Sequence, residues 1–391
     1  MKKILIYSTA YYPCVGGAEV AIKEITDRIN TCVFDMITVR LDRSPTVEQL
    51  GSVLVHRVGI YPYRGSRSII MLNKYLFPFW GALYGYMLNR TKHYDKAWAM
   101  MASFAGFATL FFHILTHTPY VLSLQEGDSF QYIYKKVGIL RPLFKMIFRK
   151  AFHIQVLSAY LQQFALDNGA LKKQISIVPN GVDLTVFTKE LSARDRMTYR
   201  RTMFPGITDT DTLVVSTSRL VYKNGIDILI DAFYELPTSY KLALIGDGQL
   251  EMSLKKQAEK LGDRVVFLGH MDHIELQPYL ASADIFIRPS RSEGMGNSFI
   301  EAMAARVPVI APAVGGVVDF VHTARDAAVV KPTGIVLDDT TPESISEAIG
   351  WCAAHIEVQD TIVQNAYELV TGTYSWERVA PLLYDIFNIE I

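Results

Sequence analysis

The sequence predicts two α/β domains built on parallel sheets, and three observations carry that expectation. Short β-rich runs alternate with longer helical patterns along the whole chain, which is the signature of parallel α/β layers. The 391 residues, half of them hydrophobic, suffice for two substantial cores. A polar, charged stretch from Lys189 to Asp211 separates two similar series of strands and helices, and places the domain break near it.

In the first series the strand candidates are Lys3–Tyr7, Phe34–Val39, Val53–Val58, Lys96–Met100, Tyr120–Leu124 and Ile154–Leu157. In the second they are Thr212–Thr217, Lys241–Ile245, Val265–Leu268, Ile285–Arg288, Val309–Ala311 and Gly334–Val336. Helical spacing of apolar residues marks Ala18–Arg28, Gly225–Leu236, Gln249–Leu261 and Ser298–Ala305 between them. The uncharged stretch Ala97–Thr116 is long enough for a membrane span, but Ser103, Gly106, Thr109, His113 and Thr116 interrupt it. A buried strand–helix pair is the better expectation there. The start, MKKILIYSTAYYP, lacks the cleavage pattern of a signal peptide and reads as a first buried strand.

Lys plus Arg and Asp plus Glu each number 39, a balance that gives no reason to expect nucleic-acid binding. Cys14, Cys32 and Cys352 are few, odd in number and far apart, so neither a disulfide framework nor a metal-ligand spacing is expected. That usage fits a reducing compartment, and the expected location is the cytoplasm.

Chemistry concentrates in four loops. After the first strand, Gly16-Gly17 opens a helix whose positive end and backbone amides suit an anion, although a tight turn explains the glycines equally. After the first strand of the second series come Arg219 and Lys223, four apart, beyond a strand's carboxyl end where open α/β sheets bind ligands. Arginine grips a diphosphate with two donors and lysine acts as a point charge, but a solvated loop pair would look the same. The next strand ends in Gly246-Asp247-Gly248, which alone marks only a turn. The fourth loop, from Pro289 to Glu301, is the most informative. Gly294, Met295 and Gly296 form a loop able to face a diphosphate, and Asn297 or Ser298 can cap the next helix. Glu293 in the loop can accept from sugar hydroxyls, and Glu301, about one turn into the helix, from ribose hydroxyls.

The set Gly16-Gly17, PNGVD at Pro179–Asp183, Arg219 with Lys223, Gly246-Asp247-Gly248, Phe267-Leu268-Gly269 and Glu293/Glu301 resembles the retaining GT-B glycosyltransferases of family four, the group 1 glycosyl transferases. Glu301–Gly316 and Tyr374–Phe387 extend the likeness over nearly the whole chain. The resemblance implies two facing Rossmann-like domains. One is 1–188, acceptor-side, joined by a returning C-terminal segment 374–391. The other is 189–373, donor-side. It implies transfer of a sugar from a nucleotide-diphosphate sugar to a glycan or lipid-linked acceptor. Arg219 and Lys223 would hold the diphosphate, Glu301 the ribose and Glu293 the transferred sugar. The Gly16-Gly17 loop would lie beside the diphosphate, and residues just after Gly269, His270 first, would border the base. No cofactor and no metal are expected, because basic side chains and helix ends take the metal's place.

Two positions depart from the family pattern. Gln125 stands where many relatives carry a histidine, and glutamine cannot serve as a general base, so the part played by Gln125 or Glu126 is open. Arg306 stands where glycine is common, and a left-handed conformation there would cost on the order of 1 kcal/mol. Other readings are a non-hydrolysing nucleotide-sugar epimerase and a catalytically silent sugar-nucleotide-binding scaffold. Tyr132–Phe152 is basic, carries interleaved apolar residues and holds no acid, which fits either peripheral contact with an anionic inner membrane face or a surface helix with a basic face and a buried apolar one.

Overall fold

The apolar run that opens the chain becomes strand β1 (Lys2–Ser8), buried from Ile4 onward as expected of a central parallel strand. The computed structural model describes residues 1–63, 66–326 and 328–390, so the last position of the expected segment 374–391 lies outside the described residues. Contacts divide the chain into two units, Met1–Gly181 with Trp376–Ile391, and Val182–Ser375.

The first unit continues with α1 (Gly17–Arg28), β2 (Cys32–Val39), β3 (Val47–Leu50), β4 (Val53–Val58), α2 (Arg67–Lys92), β5 (Lys96–Met100) and α3 (Phe104–Thr116). Then come β6 (Tyr120–Leu124), α4 (Phe130–Val137), α5 (Arg141–Lys150), β7 (His153–Val156), α6 (Ala159–Asp167) and β8 (Ile175–Ile177). The sheet order is β3-β4-β2-β1-β5-β6-β7-β8. β3 pairs antiparallel with β4, and the other pairings are parallel. The doubtful stretch Ala97–Thr116 is β5 followed by α3, and no helix among the described residues is long and apolar enough to cross a membrane.

The second unit holds α7 (Leu184–Phe187), α8 (Ala193–Met203), β9 (Thr212–Thr217), α9 (Ile226–Ala232), β10 (Tyr240–Ile245), α10 (Glu251–Ala258), β11 (Val265–Gly269) and α11 (His273–Ala281). It closes with β12 (Ile285–Ile287), α12 (Asn297–Ala304), β13 (Val309–Pro312), β14 (Ile335–Leu337), α13 (Pro342–Ala354) and α14 (Ile356–Thr373). Its sheet is wholly parallel, in the order β11-β10-β9-β12-β13-β14. Leu229, Ile230, Leu242, Ile285 and Ile310 form part of its core.

The last helix, α15 (Trp376–Asn388), packs Trp376, Val379, Leu383, Ile386 and Phe387 into the first unit's core beside Ile4, Ile6 and Phe34. Buried Lys96 donates from Nζ to the carbonyls of Phe387 at 3.0 Å and Ile389 at 2.5 Å, and Lys2 reaches the Phe387 carbonyl at 3.1 Å. A cation at a helix C-terminus satisfies carbonyls that have no partner within the helix and complements the dipole. Burial, with Lys2 close by, lowers the Lys96 ammonium to about 8.

Candidate functional site

Each sheet has a point at which its parallel strands change winding direction: β1 has β2 on one side and β5 on the other, and β9 has β10 and β12. A reversal of this kind opens a crevice beyond the strands' carboxyl ends, because the flanking loops turn away in opposite directions. The loops singled out from the second series all leave β9, β10, β11 or β12 at that end.

In the second unit those loops are stitched together by backbone. Ser218 N–H donates to the Ile245 carbonyl at 3.0 Å, Leu220 N–H to Asp247 at 2.7 Å and Gly246 N–H to Gly269 at 2.7 Å. Gly246 has φ 131°, and a Cβ there would sit 1.9 Å from the Ser218 carbonyl oxygen, so only glycine allows the β9 and β10 loops to meet. Arg291 ties the β12 loop to the β9 loop. Its N–H donates to the Lys223 carbonyl at 2.7 Å, its guanidinium lies 4.0 Å over the Tyr222 ring, and it pairs with Asp227 at 2.6 Å. On this framework the Arg219 side chain is exposed and makes no hydrogen bond among the described residues, while Lys223 is partly buried in the turn that follows. Thr217, Ser218 and Ser298 each enclose a hydroxyl with no hydrogen-bond partner. Leaving such a group unsatisfied costs about 1–3 kcal/mol, so polar atoms of a bound ligand would gain by reaching them.

The two glutamates of the fourth loop occupy different surroundings. Glu293 is buried, and its Oε1 accepts from Arg288 Nη2 at 2.5 Å and from Ser290 Oγ at 2.9 Å. Gly315 has φ 55°, and a Cβ there would stand 1.7 Å from the Glu293 carbonyl oxygen, so this residue lets the β13 loop close against Glu293. Glu301 is buried on α12, with Oε1 3.7 Å from Nε2 of His273 at the start of α11. One expectation is corrected: neither Asn297 nor Ser298 caps α12. The cap is Gly296, whose left-handed φ of 96° starts the helix at Asn297. Gly294 and Met295 are buried in the loop before it, and Gly269 ends β11, followed by an exposed His270.

The first unit's crevice differs from its expected form. The Gly16 amide donates to Glu19 Oε2 at 2.8 Å, so the start of α1 already holds a carboxylate from its own first turn. Beyond β6, Gln125 and buried Asn180 of the PNGVD motif exchange amide hydrogen bonds at 2.9 and 3.0 Å. Glu126 Oε1 accepts from the Ala102 amide at 2.6 Å, and its Oε2 is enclosed without a partner. That contact fixes the turn after β5, where Met101 sits at a left-handed φ of 71°. Burial pushes the Glu126 carboxyl up to about 7, aided by Asp128 and opposed by backbone amides. Arg306 does adopt the left-handed conformation, φ 59°, with its guanidinium 3.7 Å over the Tyr367 ring.

Sequence reasoning passed over Arg288, Ser290 and His273 as site residues. Arg288 falls at the end of an expected strand, and its spacing from Glu293 marks no familiar motif. His273 meets Glu301 only through the fold.

The family model for group 1 glycosyl transferases matches residues 203–369. The chain is 30% identical over 298 residues to a putative teichuronic acid biosynthesis glycosyltransferase of Bacillus subtilis, covering 76% of this chain and 71% of that one. It is 31% identical over 229 residues to a GDP-mannose-dependent monoacylated alpha-(1-6)-phosphatidylinositol monomannoside mannosyltransferase of Corynebacterium glutamicum, covering 54% and 56%. The chain spans about half the length of the first curated relatives it matches. Among solved structures, an Anabaena protein in complex with UDP-glucose superposes with a TM-score of 0.79 at 19% identity, covering 99% of this chain and 100% of that one. Likeness at this level of identity shows the fold, which is GT-B.

Proposed function

The chain belongs to the group 1 glycosyl transferases, and from that premise we propose that it moves a sugar from a nucleotide-diphosphate sugar to a glycan or lipid-linked acceptor with retention of anomeric configuration. The observation that carries this reading is the crevice of the second unit. There an exposed Arg219, the amino end of α12 and enclosed hydroxyls share the carboxyl side of a parallel sheet at its reversal point.

In this reading Arg219 and Lys223 meet the diphosphate, with the loop Gly294–Ser298 and the start of α12 supplying amides to its oxygens. Glu301 accepts from ribose hydroxyls, with His273 Nε2 3.7 Å from its carboxylate. Glu293, held by Arg288, addresses the transferred sugar. As transfer proceeds, the bond from the sugar's anomeric carbon to the diphosphate oxygen breaks and the bond to the acceptor oxygen forms on the same face. The acceptor's proton passes to the departing diphosphate oxygen. Gln125 cannot remove that proton, and its amide is engaged with Asn180. Charge on the leaving diphosphate is met by Arg219 and Lys223 without a divalent metal.

A thermal-shift screen against UDP-, GDP- and ADP-sugars identifies the donor, since a ligand bound to the native state raises the melting temperature. Proton NMR of the first-formed product then reads its anomeric configuration in the presence of a chelator. An inverted product, or activity abolished by the chelator, defeats the mechanism. Nucleotide release that needs no acceptor defeats the transferase reading.

A further inference from the structure

Helix α2 turns the usual pattern of a surface helix outward. From 71 to 87 every exposed position is apolar or aromatic: Leu72, Tyr75, Phe79, Leu83 and Tyr86, flanked by Met71 and Met87. Their spacing of three and four residues sets them along one face of the helix. Tyr75 and Phe79 are each 61% exposed and Leu83 is 55% exposed, while Asn73 on the opposite side is buried. A helix in water normally presents polar residues, and a contiguous apolar face on a water-borne protein marks a surface that meets something else.

The neighbouring helices continue the pattern. α2 packs along α3, whose exposed positions, Ile114 and Leu115, are again apolar, and the Phe79 ring stacks on Phe111 at 5.3 Å. α3 packs on α5, and α5 on α4. Between α4 and α5 stand Ile139, 95% exposed, and Leu140, with Lys135, Lys136 and Arg141 around them. On α5 itself Phe144, Ile147 and Phe148 are buried in the core and take no part, while Leu143 and Met146 are half-buried.

Charge identifies the occupant. α2, α3, α4 and α5 contain no Asp or Glu, yet they carry Arg67, Lys74, Arg90, Lys135, Lys136 and Arg141 among other basic residues. Arg67 and Arg90 lie beyond the two ends of the apolar stripe. In a chain whose charges balance overall, this segregation is specific to the surface in question. Exposed aromatic and aliphatic side chains bordered by cations suit the boundary between acyl chains and anionic headgroups, where rings partition to the interface and each cation adds attraction. We propose that the outer face of α2, with α3 and the Ile139–Leu140 turn, is a docking surface for an anionic lipid bilayer. The contact lies on the membrane without crossing it. The proposal stands apart from the transferase reading, and it would bring the first unit to where a lipid-linked acceptor resides.

The test is co-sedimentation of the full chain with phosphatidylcholine vesicles, with and without phosphatidylglycerol, at rising salt. Sedimentation velocity without lipid runs in parallel. The chain should bind the phosphatidylglycerol vesicles, bind neutral vesicles far less, and come off as salt rises. Tyr75→Ser, Phe79→Ser and Leu83→Ser combined should lower the bound fraction about tenfold or more, because these side chains supply the inserted area. Tyr75 and Phe79 each lose a ring contact, with Phe104 and Phe111, so the melting temperature of that variant should fall by only a few degrees while the fold persists. Lys135→Glu with Lys136→Glu should weaken binding with the stripe intact. No binding to either vesicle, equal binding to both, or unchanged binding by the serine variant overturns the proposal. A lipid-free dimer abolished by the serine substitutions, with no vesicle binding, assigns the face to a second copy of the chain instead.

Discussion

Arg288 Nη2 stands 2.5 Å from Glu293 Oε1, and both side chains are buried. The carboxylate that the motif assigns to the transferred sugar is therefore set in place by an arginine from the strand's end. Breaking a buried pair by removing one partner leaves an uncompensated charge and costs about 3–5 kcal/mol. Arg288→Met should destabilise by that order, and Arg288→Met with Glu293→Gln should recover much of the loss. Urea denaturation of the two single variants and the double closes the cycle. Additive losses would show that the pair is not coupled.

Arg219 and Lys223 are proposed to act on charge that grows as the diphosphate leaves, so they should bind the transition state better than the ground state. Arg219→Ala and Lys223→Ala should each lower kcat on the order of 100-fold, and not merely raise KM. Lys223→Arg should rescue only in part, since a planar fork replaces a compact ammonium. Steady-state kinetics at saturating donor decides. Near-normal turnover in both alanine variants would make them ordinary loop charges.

Glu293 and Glu301 are expected to separate in their effects. Glu301→Ala should weaken binding of the nucleoside diphosphate alone, and Glu293→Ala should leave that affinity nearly intact while transfer falls. Calorimetric titration with the diphosphate distinguishes them. Equal losses would cancel the division of roles.

Glu126 gives the stability a pH dependence of known sign. Its folded pKa of about 7 lies above the ordinary 4.5, so the native chain holds the proton more tightly and stability falls as pH rises between those values. Glu126→Gln keeps an oxygen for the Ala102 amide and removes the titration. Its stability should equal the parent's at acid pH and exceed it at mildly alkaline pH by on the order of 3 kcal/mol. Urea midpoints for both proteins across the range measure the gap, and a gap that does not widen with pH would contradict the assignment.

Arg306 pays for a left-handed backbone with a ring contact. Arg306→Ala keeps the strain and loses the stacking on Tyr367, whereas Arg306→Gly loses the stacking and relieves about 1 kcal/mol of strain. The glycine variant should melt above the alanine one, the reverse of their order in most ordered segments.

What could be read from the sequence follows from what periodicity records. The expected strands of both series form, because buried parallel strands are continuous apolar runs and need no partner to be recognised. β3 and β8 gave no such signal: Val47–Leu50 is a polar edge strand, and Ile175–Ile177 is three residues long. The amphipathic contrast of α2 is weak because its exposed positions from 71 to 87 are apolar, and Pro78 lies inside the helix. The site's loops were legible from glycines and charges near one another in the chain. His273 against Glu301 and Gln125 against Asn180 were not, since tertiary packing brings each pair together, and Arg288 meets Glu293, five residues on, only through the bend of the loop after β12.

Trp376–Asn388 belongs to the first unit although the whole second unit precedes it in the chain. Emerging from a ribosome, residues 1–181 would lack Trp376, Leu383 and Phe387 from their core, and Lys96 would lack the carbonyls it holds. The second unit has all its strands before that helix is made. Synthesis therefore favours an order in which the later unit completes first and the earlier one waits, open along the seat of α15, until that helix has left the tunnel.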